Sequence, residues 1–365
     1  MRQHSTGFMF SFKVSLLCGL AAVISGSALA QEFAYVVNNQ SDSVSAFQID
    51  PVSGTLTAVP GSPFPTGTVP VRLAAVPTGR FLYVTNTNSD DISGYSIGAG
   101  TGILTSLGPT FPTGSIPNGV AVDPTGQFLY TANESGSVSA FRINQTSGAL
   151  TQVAGSPYVT GTSEYEISIN PTGTVLYALS ANGPINAYEI ARGTGALTAV
   201  SGSPFSGGTD LAAGIVDLTG RYLYAANGDA DNVLAYRVSP SGGITPISGS
   251  PFRTSGGDFW IAVDPTDRFV FVTDAYGANK LDVFRITPSS GALVPVPGSP
   301  YSTADLPSAV VCNSTGQFVY VASGILLTPG TVTAYALNPA TGSLTPIAGA
   351  PYPVGDYPTQ IITVR

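Results

Sequence analysis

The sequence predicts an all-β fold, a seven-bladed β-propeller of four-stranded antiparallel blades, and two repeated phrases are the basis of that prediction. An apolar phrase of the type Phe-Leu-Tyr-Val-Thr-Asn recurs every 47 to 49 residues around these central aromatic residues: Tyr35, Tyr83, Tyr130, Tyr177, Tyr224, Phe271 and Tyr320. A Gly-Ser-Pro-aromatic phrase keeps the same step, in variants that begin at Gly61, Gly108, Gly155, Gly202, Gly249, Gly298 and Gly349. A fixed period of this length indicates one supersecondary unit that must stack on copies of itself to bury its apolar faces.

One unit of the repeat contains four predicted strands. Residues 119–122 are apolar and short, as expected of a strand buried on both faces, and a Pro-Thr-Gly turn follows at 124–126. Residues 128–133 and 138–143 form the second and third predicted strands, and residues 149–153 a short outer strand. Four antiparallel strands repeated in this way are typical of a propeller blade.

The two chain ends predict how the ring closes. The first unit starts at its second strand, residues 33–38, and the last unit is followed by a surplus inner strand at 359–364. We expect this C-terminal strand to pair with residues 33–38 and complete the first blade, because a closed ring leaves no exposed strand edge.

The first thirty residues have the features of a secretory signal peptide. Arg2 and Lys13 form a basic region, residues 14–24 are apolar, and an Ala-Leu-Ala cleavage site occupies 28–30. The apolar run is too short to span a membrane. We therefore expect a mature chain of residues 31–365, folded as one propeller domain and exported to the periplasm or the extracellular space.

Composition excludes several kinds of site in that mature chain. Cleavage removes His4, the only histidine, and leaves Cys312 as the only cysteine, so neither histidine-dependent triads nor disulfides are available. It also leaves 11 cationic side chains against 21 acidic ones, a net charge of −10, which disfavours nucleic acids and anionic lipid. Acidic loops at residues 90–91 and 229–232 could hold Ca²⁺, but they lack an ordered ligand spacing and are interpreted as solvated turns. We expect no metal, no cofactor, no insertion into a membrane and a monomeric chain.

Candidate functional residues are those that break the repeat at the start of the inner strand. One aligned position holds Arg72, Gly119, Glu166, Ala213, Trp260, Ala309 and Gln360, and the position two residues earlier includes Glu164 and Asp258 among prolines. The position between them includes Asn118, Tyr165 and Phe259. In a propeller these positions meet at the mouth of the central channel, on the face whose loops vary between copies. They could form a polar pocket with an aromatic wall, or they could simply plug and hydrate the channel.

The repeat resembles a known family. Residues 83–86 spell the Tyr-Val-Thr-Asn signature, and the pattern at residues 123–130, 137–141 and 147–150 is similar to that of the lactonase family of seven-bladed propellers. That family includes propeller-type 6-phosphogluconolactonases and fungal muconate-lactonising enzymes. The resemblance implies a site of His, Arg and Glu side chains around the channel mouth. The expected mature chain offers Arg72 and Glu166, with Glu164 or Asp258, but no histidine.

Two hypotheses for function follow. The first is a binding module that holds a small carbohydrate or lactone, or a protein or peptide, at the channel mouth through Asn118, Glu164, Tyr165, Asp258, Phe259, Trp260 and Gln360. The second is a lactone hydrolase or lactonising enzyme in which Arg72 polarises the carbonyl and Glu166 acts as general base. The absence of histidine favours the first, and the grouping of Arg, Glu and Trp at one rim supports the second.

Overall fold

The fold is described by a computed structural model that covers residues 31–181, 183–275 and 279–365. The predicted signal peptide lies outside these residues. The described chain forms seven antiparallel blades, as the repeat predicts. Each blade has an innermost, a second, a third and an outer strand, and the described part of the chain contains a single short 3₁₀ turn, Gly228–Ala230, and no α-helix.

Innermost strands line the central channel and second strands lie directly behind them. From blade 1 to blade 7, the innermost strands are Pro358–Val364, Pro70–Ala75, Pro117–Val122, Glu164–Ile169, Leu211–Val216, Asp258–Val263 and Pro307–Cys312. The second strands are Glu32–Asn38, Phe81–Asn86, Phe128–Asn133, Val175–Ser180, Tyr222–Asn227, Phe269–Asp274 and Phe318–Ser323. Every second strand is an uninterrupted buried run, which places the cores between adjacent blades.

Third and outer strands form the periphery. The third strands are Ser43–Ile49, Asp91–Ile97, Ser137–Ile143, Ile185–Ile190, Asn232–Val238, Lys280–Ile286 and Pro329–Leu337. The outer strands are Leu56–Ala58, Leu104–Ser106, Leu150–Gln152, Leu197–Ala199, Ile244–Pro246, Leu293–Pro295 and Leu344–Pro346. The outer strands are shorter than predicted because residues at the end of the Gly-Ser-Pro-aromatic phrase form a separate short strand, which pairs with the other end of the third strand. Its short strands are Phe64–Pro65, Phe111–Pro112, Tyr158–Val159, Phe252–Arg253, Tyr301–Ser302 and Tyr352–Asp356.

The ring closes as the chain ends predict. Pro358–Val364 pairs antiparallel with Glu32–Asn38, with Phe33 opposite Val364 and Asn38 opposite Pro358. Blade 1 therefore combines the first and last strands of the described chain.

Tyrosine hydroxyl groups connect consecutive blades. The central tyrosine of a blade donates a hydrogen bond to a glycine carbonyl in the turn before the next blade's outer strand, as from Tyr83 to Gly148 at 2.7 Å. The same bond joins Tyr320 of blade 7 to Gly54 of blade 1 at 2.9 Å. Blade 6 has Phe271 at this position and therefore has no hydroxyl to donate. The aromatic residues that repeat are thus scaffold.

We call the side of the disc with the second-to-third strand loops the variable face. The opposite side carries the repeated turns and is called the turn face. Among the described residues, no helix is long and apolar enough to cross a bilayer.

Candidate functional site

Four of the pattern-breaking residues form a layer across the central channel. Arg72 Nε lies 3.4 Å from Glu166 Oε2, and the guanidinium stacks 4.5 Å from the centroid of the Trp260 ring. Gln360 Oε1 accepts the Leu73 N–H at 2.5 Å, which joins blade 1 to blade 2. These side chains come from four different blades, so the layer exists only in the closed ring. We refer to Arg72, Glu166, Trp260 and Gln360 as the channel layer.

The layer is almost completely buried. The exposed fraction is 3% for Arg72, 6% for Glu166 and 8% for Trp260. Arg72 Nη1 also donates to the carbonyl of Thr359 at 3.2 Å. The guanidinium therefore has an ion pair, a backbone acceptor and an aromatic face around it, which is the combination that a buried arginine requires.

Local backbone geometry explains why these positions reach the channel. Each innermost strand shifts register near its start; in blade 4 the shift falls between Glu164 and Glu166, so Tyr165 is the extra residue of a β-bulge. In blade 3 the aligned position is Gly119, where an added Cβ would lie 2.8 Å from the Glu166 Cα. Glycine at that position allows the strand that carries Glu166 to approach its neighbour.

Burial controls the ionisation of the layer. It raises the pKa of the Glu166 carboxyl to about 7, while the positive charge of Arg72 and the N–H of Ile167 act in the opposite direction. Burial also lowers the pKa of the Arg72 guanidinium, and the Glu166 carboxylate opposes that change. Glu166 can therefore exchange a proton near neutral pH, as a general acid or base must.

A cavity of about 350 Å³ lies on the turn-face side of the layer. Glu166, Trp260 and Gln360 line its inner end, and apolar side chains of the innermost strands form its walls. Towards the turn face the lining becomes partly exposed, as at Ile169 and Ile362, whereas the layer itself is buried. The channel is thus open towards the turn face and closed by the layer, an apolar pocket with a small polar floor.

A second group of candidate residues lies on the variable-face side. Tyr165 is partly exposed there, and Asn118 Nδ2 donates to Glu134 Oε1 at 2.7 Å. Burial raises the pKa of the Tyr165 hydroxyl, and the charges of Glu134 and Asp210 add to the effect. The channel layer therefore separates the residues that were predicted as one site into two groups.

Glu164 belongs to neither group. Its carboxylate accepts hydrogen bonds from Ser180 Oγ at 3.0 Å and Asn186 Nδ2 at 2.8 Å, inside blade 4. Blades 1, 2 and 3 have an asparagine at the position of Ser180, and that asparagine donates to serines of the third strand. Blade 4 has Ser180 in place of that asparagine, and the Glu164 carboxylate makes the hydrogen bonds to the second and third strands instead. This is a structural role.

The remaining predicted residues lie at the edge of the variable face. Phe259 lines a cavity of about 20 Å³ together with Leu306, Ser308 and Tyr357. Asp258 begins the innermost strand of blade 6, and its side chain is outside the described part of the structure.

The acidic loops have structural roles. Asp90 Oδ1 accepts the Ile116 N–H at 2.7 Å, and Asp231 Oδ1 accepts the Gly257 N–H at 2.8 Å, each linking one blade to the next. Among the described residues, no three acidic or sulfur-bearing side chains are grouped in a way that could hold a metal ion.

Sequence reasoning missed Asp210, Tyr357 and Glu134. Asp210 and Tyr357 occupy the aligned position one residue before each innermost strand, and Glu134 follows the second strand of blade 3. All three break the repeat, because the aligned residues include Val69, Ile116, Ala181 and Gly228. Extending the alignment by one residue would have found the first two.

Comparison with known proteins agrees with the fold. A family model described as a lactonase, seven-bladed β-propeller, matches residues 26–167 and 247–361. No curated protein sequence matches the chain.

Several solved structures superpose over nearly the whole chain. A periplasmic gluconolactonase from Pseudomonas aeruginosa is 19% identical, with a TM-score of 0.79, and the match covers 92% of this chain and 99% of that one. A protein described as a candidate 6-phosphogluconolactonase from Bacteroides fragilis is 20% identical, with a TM-score of 0.78, covering 93% and 99%. A similar candidate from Bacteroides uniformis is 19% identical, with a TM-score of 0.75, covering 92% and 100%. At these identities the likeness establishes the fold alone.

Proposed function

We propose that this chain, which belongs to the lactonase family of seven-bladed β-propellers, is an exported binding module that holds a small uncharged ring, a sugar or a lactone, on its channel layer. One observation carries the proposal: the 350 Å³ cavity ends on a floor of Glu166, Trp260 and Gln360. Ligand pockets typically have this volume, apolar walls and a few convergent polar groups. The N-terminal pattern and the likeness to a periplasmic protein support export.

The chemistry of the floor selects for an uncharged ring. Trp260 offers apolar surface at the cavity, and Glu166 and Gln360 offer hydrogen bonds to hydroxyl groups. Arg72 does not line the cavity, because it stacks on Trp260 and pairs with Glu166. An anionic ligand would therefore find no free cation at the floor and would bring a negative charge close to Glu166.

Fluorescence tests the binding role, because Trp260 is the only tryptophan in the chain. We expect D-glucose or D-glucono-1,5-lactam, a ring amide that resists hydrolysis, to change the Trp260 emission in a saturable way. Glu166→Gln, which alters one hydrogen-bonding group, should weaken that binding by about tenfold. Glu189→Gln is the matched control, since Glu189 is an exposed carboxylate on a third strand. Equal affinities in the two variants would place the ligand elsewhere.

Lactone hydrolysis is the second candidate, and the pKa of Glu166 near 7 favours it. In this reaction Glu166 takes a proton from water as the water oxygen attacks the lactone carbonyl carbon. The ring C–O bond then breaks, and the departing oxygen receives the proton, which yields a hydroxy acid. The sequence predicted that Arg72 polarises the lactone carbonyl, but Arg72 does not line the cavity. In this reaction Arg72 instead positions Glu166 through the ion pair between them.

A pH-stat assay separates the two candidates. Hydrolysis of D-glucono-1,5-lactone above the spontaneous rate should rise with pH up to about 7, as Glu166 ionises, and disappear in Glu166→Gln. Binding of the lactam without any catalysed hydrolysis supports the binding module alone. Hydrolysis that survives in Glu166→Gln would exclude Glu166 as the base.

A further inference from the structure

A second group of polar side chains lies above the channel layer, on the variable face. Tyr165 and Tyr357 lie near each other there, with Glu134 and Asp210 close enough for both charges to act on the Tyr165 hydroxyl. Asn118 joins the group through its 2.7 Å hydrogen bond to Glu134. Glu134, Asp210 and both tyrosines are partly exposed, so a ligand can reach them.

Asn118 carries a buried acceptor without a donor. Its side chain is 5% exposed, and Oδ1 has no hydrogen-bond partner among the described residues. Exchanging the oxygen and nitrogen of this side-chain amide would not give the oxygen a donor. The oxygen would then face the Glu134 carboxylate, which now accepts the amide N–H. A buried acceptor left unpaired costs free energy, which a ligand donor that reaches this oxygen would recover.

The group is rich in acceptors and poor in free donors. The nearest cation is Arg72, which is 3% exposed and already paired with Glu166 and the Thr359 carbonyl. Burial raises the pKa of Asp210, and the charge of Asp229, which lies outside the group, adds to the effect. A cation placed here would relieve the repulsion.

Charge is also distributed unevenly between the two faces. Arginines of the turn face bind turn carbonyls of the neighbouring blade, as Arg80, Arg142, Arg268 and Arg285 do. The variable face carries Asp42, Asp90, Glu134, Asp210, Asp229, Asp231, Asp305 and Asp356, against Arg253 and Lys280 among the described residues. The field of such a face attracts cations and repels anions.

We infer that the mouth formed by Asn118, Glu134, Tyr165, Asp210 and Tyr357 is a binding site for a primary ammonium group, as carried by a lysine side chain or an amino sugar. An ammonium offers three N–H donors and one positive charge. Glu134 and the Asn118 carbonyl accept its hydrogen bonds, and the tyrosine rings contact its charge. The site lies on the opposite side of the channel layer from the sugar or lactone pocket and does not depend on that pocket being occupied.

Matched pairs of probes test the ammonium itself. We would titrate Nα-acetyl-L-lysine amide and D-glucosamine by calorimetry in 0.15 M salt, each against its N-acetylated, uncharged form. The charged form of at least one pair should bind about tenfold more tightly or better than its acetylated partner. Stronger binding of the lysine probe points to a peptide source, and stronger binding of glucosamine to a sugar source. Equal binding of charged and acetylated probes, or no binding of either charged probe, would overturn the inference.

Variants distinguish a site from the general field of the face. Glu134→Gln should weaken binding of the charged probe about tenfold, whereas Asp305→Asn, which removes an exposed charge elsewhere on the same face, should change it less than about twofold at this salt concentration. Equal effects of the two substitutions would indicate that the general negative potential of the face, and not a specific site, attracts the probe.

Asn118→Ala should weaken binding without lowering the melting temperature, because it deletes an unpaired acceptor together with one partly exposed hydrogen bond. A loss of stability with unchanged binding would assign Asn118 a purely structural role.

Discussion

Arg72 and Glu166 are oppositely charged residues that are buried together in the channel layer. Sibling blades place Gly119, Ala213 and Ala309 at the same aligned position, which shows that the scaffold does not require a charge there. Removing two charges from water costs several kcal/mol per ion, and only good geometry and further hydrogen bonds repay it. A buried ion pair that the scaffold does not require supports our proposal that the channel layer binds a ligand.

The raised pKa of Glu166 makes stability depend on pH. Because the pKa in the folded protein is about 7 and the ordinary value is 4.5, protonation favours the fold. This contribution is complete below pH 4.5 and is lost as the pH rises through 7, by up to ~3 kcal/mol. Glu166→Gln is neutral at every pH and should not show that loss. Urea titrations at pH 5 and pH 8 should therefore find that wild type loses stability relative to Glu166→Gln.

Glu189→Gln serves as the control for this measurement, because the Glu189 carboxylate is exposed. The difference between wild type and Glu189→Gln should stay constant from pH 5 to pH 8. If wild type instead gains stability relative to Glu166→Gln over that range, the charge of Arg72 lowers the pKa of Glu166 more than burial raises it.

Residue positions in the site were only partly predictable. Aligning the copies predicts that Arg72, Glu166 and Trp260 meet, because equal positions in a ring face the same axis. The alignment misplaces Glu164, since alternation along a regular strand would put residues 164 and 166 on one side, and the bulge at Tyr165 separates them. Whether any of these residues binds a ligand stays a prediction.

At the scale of the strand, the repeated tyrosines connect neighbouring blades. Tyr224 is fully buried and donates to the Gly291 carbonyl at 2.9 Å, across 67 residues of chain. Phe271 occupies the same position in blade 6, and Gly342 is the glycine of the equivalent turn in blade 7. Blade 6 therefore lacks this tyrosine hydrogen bond in the natural sequence.

This comparison gives a reciprocal prediction. Tyr224→Phe should lower the free energy of unfolding by about 1–2 kcal/mol, because it leaves the Gly291 carbonyl unpaired. Phe271→Tyr should raise it by about 0.5–1.5 kcal/mol by supplying the missing donor. Denaturant unfolding with unchanged m-values would measure both. A destabilising Phe271→Tyr would indicate that blade 6 packs too tightly for the hydroxyl and that its turn differs from the others.

Strand positions were more predictable than strand ends. Phe128–Asn133 coincides with its prediction because its apolar run ends at turn residues. The innermost strand of blade 3 starts two residues earlier than predicted, at Pro117, because the bulge lets a segment without alternation join the sheet. The positions of the strands follow from a repeat that involves many residues, so they can be predicted. A bulge depends on one extra residue in a strand, so the strand end that it shifts cannot.

At the scale of the whole molecule, closure joins the first and last strands of the described chain. Ile361 and Val364 are buried in blade 1, and the strand that carries them pairs with Glu32–Asn38. Deleting residues 359–365 should lower stability by at least ~5 kcal/mol, because apolar burial is lost and a strand edge is exposed. Calorimetry should find a fall of ~10 °C or more in melting temperature. Deleting the exposed Arg365 alone is the control and should have almost no effect.

That truncation also tests the connection between fold and site. Gln360 belongs to the channel layer, so an open ring should lose both stability and the environment of Trp260. A truncated chain with an unchanged melting temperature would contradict closure by this strand.

We propose that the repeat builds a channel and that its exceptions form a ligand-binding floor reached from the turn face. The most direct test is Trp260 emission during titration with D-glucono-1,5-lactam, in wild type and in Ala121→Phe. Ala121 lines the cavity, so a phenylalanine there should narrow the path to the floor. We predict a saturable change in wild type and in the variable-face control Asp305→Asn, and its loss in Ala121→Phe. A response that persists in Ala121→Phe, or is absent from correctly folded wild type, would contradict the account.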